Sequence, residues 1–228
     1  MKRLFYLMLV VLGTAAFTAC SDDDDNDNGG GNSNDGNGII TIMVEENVQF
    51  SWIGTSIPGE VITIDWGDGT TEDIVSVKDE TEDETYSNCL ADLNHEYTEN
   101  GAHTITITGK NIIEFGWESG TVYSIDMSKC YGIESLYCTA QRGNSHLMKL
   151  NLDGCNDLKS LEINGDLTSL DISDCIALRY VDLQGEFTAE EMNKIYNALP
   201  AVESGRLACD ELGDWSIAEK KGWTVELY

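Results

Sequence analysis

The sequence predicts a mainly β fold in three parts: an antiparallel β-sandwich, a short solenoid of stacked repeats and a C-terminal α/β cap. Residues 39–110 contain short runs that alternate apolar and polar side chains, the period-2 pattern of half-buried strands. Residues 111–186 contain apolar positions that recur at fixed offsets in three copies, and residues 187–228 carry two helix-start signals. The chain therefore divides into three segments of different texture after its N-terminal region.

The first 20 residues indicate export. A basic start, Met1-Lys2-Arg3, precedes an apolar run from Leu4 to Phe17 that is shorter than the roughly 20 residues of a membrane-spanning helix. Two small residues and Cys20 follow. This order of basic, apolar and small residues is typical of a secretory signal over residues 1–19.

The residues around Cys20 resemble the lipobox of bacterial lipoproteins, a family in which the signal is cleaved and the new N-terminal cysteine is lipidated. The sequence FTAC ends at Cys20, and SDDDDND follows it. That acidic run resembles the signal that sends many Bacteroidetes lipoproteins to the outer face of the outer membrane. The resemblance implies a lipid anchor on Cys20 and a position in the outer membrane, facing the extracellular surface. The alternative is an ordinary cleaved signal followed by an unmodified cysteine.

Composition limits the partners of the exported chain. Removing Lys2 and Arg3 with the signal changes the formal net charge from −28 to −30, so nucleic acid is not an expected partner. The same charge repels anionic membrane surfaces, and attachment is expected through the lipid alone. Residues 20–38 consist of the anchor cysteine followed by Asp, Asn, Gly and Ser, which predicts a flexible tether.

Four runs predict strands of the sandwich, and a turn follows the third of them. Gly67 and Gly69 permit positive φ in this turn, and Asp68 can bond nearby backbone amides. The predicted strands are Ile39–Val44, Val48–Trp52, Val61–Trp66 and His103–Thr108.

The motifs IDWGDGT and NHEYTENGAHTITITG are similar to the PKD domain, an immunoglobulin-type β-sandwich with a WDFGDGT-like turn and a later H-x-Y strand. The resemblance implies a spacer or binding module without catalysis, and it makes His95 a structural residue. The acidic stretch from Lys78 to Glu84 departs from the pattern and resembles an inserted loop.

Five apolar columns align in the three repeats, which are spaced by 25 and then 20 residues. The segment from Leu147 to Leu158 resembles the cysteine-containing signature of leucine-rich repeats, which implies coils that bury their apolar rows only by stacking. Coincidental leucine spacing in an ordinary β-rich domain is the alternative. The columns are Ile125, Leu150 and Leu170; Met127, Leu152 and Ile172; Cys130, Cys155 and Cys175; Ile133, Leu158 and Leu178; and Leu136, Leu161 and Val181.

The C-terminal segment, residues 187–228, resembles the terminal cap of similar repeat proteins. Thr188 and Glu191 form a capping box, and Phe187 and Met192 are placed for a hydrophobic staple. A second S-x-x-E pattern, beginning at Ser216, predicts a short helix ended by Gly222 and followed by a last strand over 223–228.

The sequence predicts no enzymatic activity, cofactor or metal centre. Nucleophile, zinc-protease and phosphate-loop motifs are absent, although a carboxylate pair or a calcium site that includes Asp65 and Asp68 stays open. The cysteines at 130, 155 and 175 are predicted to be buried free thiols, with disulfides of Cys89 or Cys209 left open.

The best functional interpretation is a surface protein that binds glycan, or an extracellular or host protein, through the outward side chains of its repeats. The corresponding alternative is an accessory or structural subunit of an outer-membrane complex. A solvated acidic face without any ligand is also open. The candidate ligand-binding residues are Tyr123, Tyr137 and Tyr180, whose rings can stack on sugars, and Asp126, Asn151 and Asp171, which are expected on the concave face.

Overall fold

The structure is a computed structural model that describes residues 37–45, 47–78, 89–118, 122–139 and 146–228. The predicted signal, the predicted lipidation site at Cys20, nearly all of the predicted tether and most of the acidic 78–84 stretch lie outside these residues. The described part belongs to one compact unit and is mainly β, with 48% of its residues in strands and 8% in helices. Two sheets enclose a single apolar core.

The strands in chain order are β1 (Asn37–Val44), β2 (Val48–Thr55), β3 (Val61–Asp65), β4 (Thr71–Val75), β5 (Val77–Lys78), β6 (Cys89–His95), β7 (His103–Lys110), β8 (Ile112–Trp117), β9 (Val122–Lys129), β10 (Ser135–Thr139), β11 (Lys149–Asn151), β12 (Ser160–Asn164), β13 (Tyr180–Gln184), β14 (Gly205–Cys209) and β15 (Trp223–Leu227). The helices are α1 (Ala189–Ala198) and α2 (Ser216–Glu219). All four strands predicted for the sandwich are present, and β1 begins two residues earlier than predicted, at Asn37.

The two sheets run without a break from the segment predicted as sandwich into the segment predicted as repeats. The six-stranded sheet has the order β11-β9-β1-β7-β3-β4, and the nine-stranded sheet has the order β15-β14-β13-β12-β10-β8-β2-β6-β5. The pairings β1–β9 and β2–β8 are antiparallel, whereas β9–β11 and β8–β10 are parallel. Strands β8 and β9 therefore join an antiparallel region to a parallel one within each sheet.

The five predicted apolar columns lie in the core. The residues of the cysteine column and of the two columns after it are at most 1% exposed. Of the fifteen residues in the five columns, fourteen are fully buried and Leu150 is partly buried. Parallel pairing sets Leu136 beside Leu161, and Leu161 beside Val181, in register. Stacking equivalent residues on adjacent strands buries each apolar row against its neighbours, which is the physical basis of the repeat.

The C-terminal segment begins as the sequence predicts. Thr188 is the N-cap of α1 and accepts a hydrogen bond from the Glu191 backbone N–H, while Met192, Ile195 and Tyr196 are buried. The second predicted helix is present as α2, which begins at Ser216, and its N-cap is Trp215. Asp214 accepts the Ser216 N–H, and β15 follows Gly222.

None of the described helices is long and apolar enough to cross a membrane.

Candidate functional site

The nine-stranded sheet presents a continuous row of side chains on the side away from the core. Cross-strand partners define this middle row, because each residue lies directly beside the next. On β10, β12 and β13 the fully buried residues alternate with this row, whereas Gly116 on β8 and Ala208 on β14 belong to the row but are buried. We call this side the outer face; its middle row is Asp92, Trp52, Gly116, Tyr137, Glu162, Asp182, Ala208 and Glu226.

Trp52 and Tyr137 form an aromatic pair at the centre of the outer face. Their ring centroids are 5.6 Å apart and the ring planes are tilted by 31°. The strand between them carries Gly116, and a Cβ atom at that position would overlap the indole of Trp52. The glycine thus lets the indole lie over β8 and reach Tyr137, which is two strands away in the sheet.

Polar groups hold and surround the pair. Glu114 accepts a 2.8 Å hydrogen bond from Trp52 Nε1, which fixes the direction of the indole. Glu162 lies next to Tyr137, and its pKa is raised by burial and by the charge of Asp182, against the opposing effect of Arg206. A groove beside Trp52 is lined by Ser51, Trp52, Asp92, Asn94 and Glu118.

Two rows of small polar side chains flank the middle row of the outer face. On one side of the middle row, the cross-strand partners are Ser135 and Ser160. On the other side, the row of cross-strand partners is Thr139, Asn164 and Gln184. Asn164 Nδ2 donates a 3.0 Å hydrogen bond to Gln184 Oε1. The aromatic pair is therefore bordered by hydroxyl and amide groups as well as by carboxylates.

Tyr180 lies on the outer face within a polar network at the C-terminal end of the sheet. The guanidinium carbon of Arg206 is 5.5 Å from the centroid of the Tyr180 ring, so a cation covers one face of this ring. Arg206 also donates two hydrogen bonds, of 3.0 and 2.7 Å, to the carboxylate of Glu226. The hydroxyl of Tyr228 hydrogen-bonds to Asp182.

Of the remaining predicted binding residues, Tyr123 and Asp126 lie on β9 and Asn151 lies on β11, both strands of the six-stranded sheet, whereas Asp171 lies outside the strands. Asp126, Asn151 and Asp171 accept backbone N–H bonds of 3.0, 3.1 and 2.9 Å from the residue two positions later. They therefore repeat one local turn in each copy. Tyr123 donates a 2.7 Å hydrogen bond to Glu45. The structure brings Asp126 and Asn151 together as cross-strand partners in the six-stranded sheet, whereas Tyr137 and Tyr180 lie on the parallel strands of the nine-stranded sheet. The six candidates therefore do not form one cluster.

The turn after β3 is held by a second polar cluster. Asp68 accepts hydrogen bonds from the Thr70 backbone N–H and hydroxyl, at 2.9 and 2.6 Å, and His95 Nε2 is 2.9 Å from its other oxygen. The His95 ring stacks on Trp66 with centroids 4.5 Å apart. These contacts, with Thr70 the largest contributor and His95 next, hold the pKa of Asp68 well below its ordinary value. The contacts of His95 with Asp68 and Trp66 therefore stabilise this turn.

Cys130, Cys138, Cys155, Cys175 and Cys209 are free and buried. Burial raises the pKa of the Cys130, Cys138, Cys155 and Cys175 thiols to about 12. Within the described ranges, no group of three or more His, Cys, Asp or Glu side chains is arranged to hold a metal ion.

Sequence reasoning missed Trp52, Glu114 and Gly116 as parts of the outer face. One signal was available: a glycine inside the apolar strand Ile112–Trp117 marks a close approach of another group to the backbone. The sequence did not indicate which group approaches, because that depends on the order of β2, β8 and β10 in the sheet.

Comparisons with protein families, curated proteins and solved structures gave no match to this chain.

Proposed function

We propose that this chain is a surface-exposed lipoprotein that acts as a non-catalytic binding or adhesion module for glycan or protein. In this proposal the first part is a PKD-like sandwich, the parallel region is a short leucine-rich-repeat solenoid, and the C-terminal segment is its cap. The signal pattern and Cys20 support attachment to the outer membrane through lipid.

The observation that carries the binding proposal is the Trp52–Tyr137 pair on the outer face. Large aromatic side chains that remain half-buried on a rigid sheet are typical anchors of binding surfaces, since they supply contact area with little loss of side-chain entropy. The parallel strands on both sides of Tyr137 hold its backbone by regular pairing. Such a surface suits recognition better than a mobile loop does.

A binding screen tests the proposal. The mature chain expected from the sequence, residues 20–228 with Cys20→Ala, is screened against immobilised glycans and extracellular-matrix proteins. We expect a specific ligand whose binding is lost in the double variant Trp52→Ala/Tyr137→Ala. Tyr131→Ala is the matched control, because this exposed tyrosine lies on a turn outside the outer face. Loss of binding in the control alone, or no ligand in the whole screen, would contradict the proposal.

An exposed apolar patch favours a second candidate function, an accessory subunit of an outer-membrane complex. Val61 and Val75 are cross-strand partners, each 52% exposed, and Ile57 and Val77 near them are also exposed. Clustered exposed apolar side chains are a feature of protein-protein contacts. The test is co-purification with an outer-membrane protein. Loss of this co-purification in the double variant Val61→Ser/Val75→Ser, together with its retention in Tyr137→Ala, would favour this candidate.

A further inference from the structure

We propose that the outer face binds a neutral glycan, with pyranose rings stacked on Trp52 and Tyr137 and their hydroxyls bonded to the flanking polar rows. This inference rests on the proposed binding function and names its ligand class. The site combines a strand predicted as sandwich, β2, with a strand predicted as repeat, β10.

The aromatic geometry suits a sugar ring. The indole of Trp52 lies against the backbone at Gly116, so one of its faces is covered by the sheet. The faces of aromatic rings carry partial negative charge, whereas the C–H groups on a pyranose face carry partial positive charge, so the two faces attract. Two neighbouring rings, 5.6 Å apart and tilted by 31°, extend this contact over more than one side chain.

The flanking rows suit sugar hydroxyls. A hydroxyl both donates and accepts hydrogen bonds, and so do the side chains of Ser, Thr, Asn and Gln. The residues of this kind are Ser135 and Ser160 in one row and Thr139, Asn164 and Gln184 in the other. All five are half-buried and lie on regular strands, so the orientation of their backbone is fixed before a ligand arrives.

Charge favours a neutral glycan over an anionic one. The exported chain carries a net charge of −30, and carboxylates of Asp92, Glu114, Glu162 and Asp182 lie on the outer face. A sulfated or uronic-acid polymer would be repelled by this field.

A basic peptide is the competing ligand, and the hydrogen bonds of the carboxylates argue against it. Glu114 already accepts a hydrogen bond from Trp52, and Asp182 accepts one from Tyr228. Glu226 is paired with Arg206. Burial also disfavours the charged form of Glu162. A cation on the aromatic pair would therefore meet three carboxylates that already have a hydrogen-bond donor, those of Glu114, Asp182 and Glu226.

Isothermal titration of residues 20–228 carrying Cys20→Ala tests the inference. The probes are cellohexaose, maltohexaose and mannohexaose, with heparin and poly-lysine as charged comparisons. We expect at least one neutral hexasaccharide to bind, with an affinity that changes less than about twofold as salt rises from low to high ionic strength. Trp52→Ala and Tyr137→Ala should each weaken it at least about tenfold.

Matched variants separate stacking from folding. Trp52→Phe keeps an aromatic ring and should retain most of the affinity, while Gly116→Ala keeps both rings but displaces the indole and should lose it. Tyr180→Ala removes a ring whose face is covered by Arg206 and should change affinity less than about twofold. Circular dichroism of each variant, compared with the wild type, checks that the variant is folded.

Three results would overturn the inference. Binding of poly-lysine alone, weakened by salt, would place a basic protein on the face and leave the proposed binding function standing. Neutral-glycan binding that is unchanged in folded Trp52→Ala would place the glycan elsewhere. An absence of binding to every neutral glycan, while a matrix protein binds in the screen above, would remove the glycan and keep a protein as ligand.

Discussion

Asp68 shows how one side chain can hold a loop. The Asp68 carboxylate accepts two hydrogen bonds from Thr70, one from the backbone N–H and one from the hydroxyl. It also pairs with His95, whose ring stacks on Trp66. Gly67, at φ 78°, completes the turn, because a Cβ atom there would collide with the backbone of Thr104. The polar and steric requirements of this turn are met by Gly67, Asp68 and Thr70 of the first motif together with His95 of the second.

The lowered pKa of Asp68 predicts a pH-dependent contribution to stability. Because its folded pKa lies below its unfolded value, the contribution is present above the unfolded pKa, about 3.9, and is lost as pH falls through the folded pKa. Asp68→Asn should therefore lower Tm at pH 6, and the Tm difference from wild type should shrink as pH falls below about 4.

Thermal melts from pH 6 to pH 2 measure this difference. Glu72→Gln is the control, since Glu72 is an exposed carboxylate on the neighbouring strand β4. A Tm difference for Asp68→Asn that stays constant down to pH 2 would show that the charge of Asp68 does not contribute.

The three repeats share a turn as well as a core. Asp126, Asn151 and Asp171 each accept the backbone N–H two residues later, so the side chains that the sequence indicated as ligand contacts are also turn formers. Hydrogen bonding from Ser173 also lowers the pKa of Asp171.

Removing one of these turn bonds should have a measurable cost. Asp171→Ala should lower the free energy of unfolding by about 0.5–1 kcal/mol, because it leaves a backbone N–H without its acceptor, whereas Asp171→Asn keeps the acceptor and should be nearly neutral. Urea denaturation measures both, with Asp157→Ala as the exposed control in the second repeat. Equal losses in all three variants would refute a role of the turn bond.

The cysteine column gives a second prediction for the repeats. Thiolates are the reactive form, and burial raises the pKa of Cys130, Cys155 and Cys175 to about 12, so these thiols should react with a chromogenic disulfide reagent only on unfolding. The measurement uses a chain with Cys20→Ala and Cys89→Ser, before and after addition of guanidinium. Fast labelling of the native chain would contradict the burial of the column.

Local patterns predicted elements better than they predicted contacts between elements. Alternation identified β1, β2, β3 and β7, and the recurring columns identified the core, because both patterns are set by neighbours along the chain. β11 has three residues, too few for a periodic signal. The contact of Trp52 with Tyr137 depends on which strands are adjacent, and a local pattern does not contain that information.

Both sheets of the molecule continue across the predicted domain boundary near residue 110. Phe115 is fully buried on β8, which pairs with β2 on one side and β10 on the other. We therefore expect one cooperative unfolding transition for the described part of the chain, and Phe115→Ala should lower the free energy of unfolding by about 3–5 kcal/mol without splitting the transition.

Hydrogen exchange measures the transition separately for β7 and β13, which lie in the two predicted parts. Coincident loss of protection in rising denaturant supports one unit. Protection lost in β7 well before β13, or the reverse, would show that the two parts unfold independently.

In the proposed site, Trp52 and Tyr137 form one binding surface that joins β2 of the predicted sandwich to β10 of the predicted repeats. A double-mutant cycle tests this arrangement: the Kd of the bound hexasaccharide is measured for wild type, Trp52→Ala, Tyr137→Ala and the double variant. If the rings support each other on one ligand, the loss in the double variant should be smaller than the sum of the single losses by about 0.5–1.5 kcal/mol. Losses that add within about 0.3–0.5 kcal/mol would show two independent residues and contradict the claim.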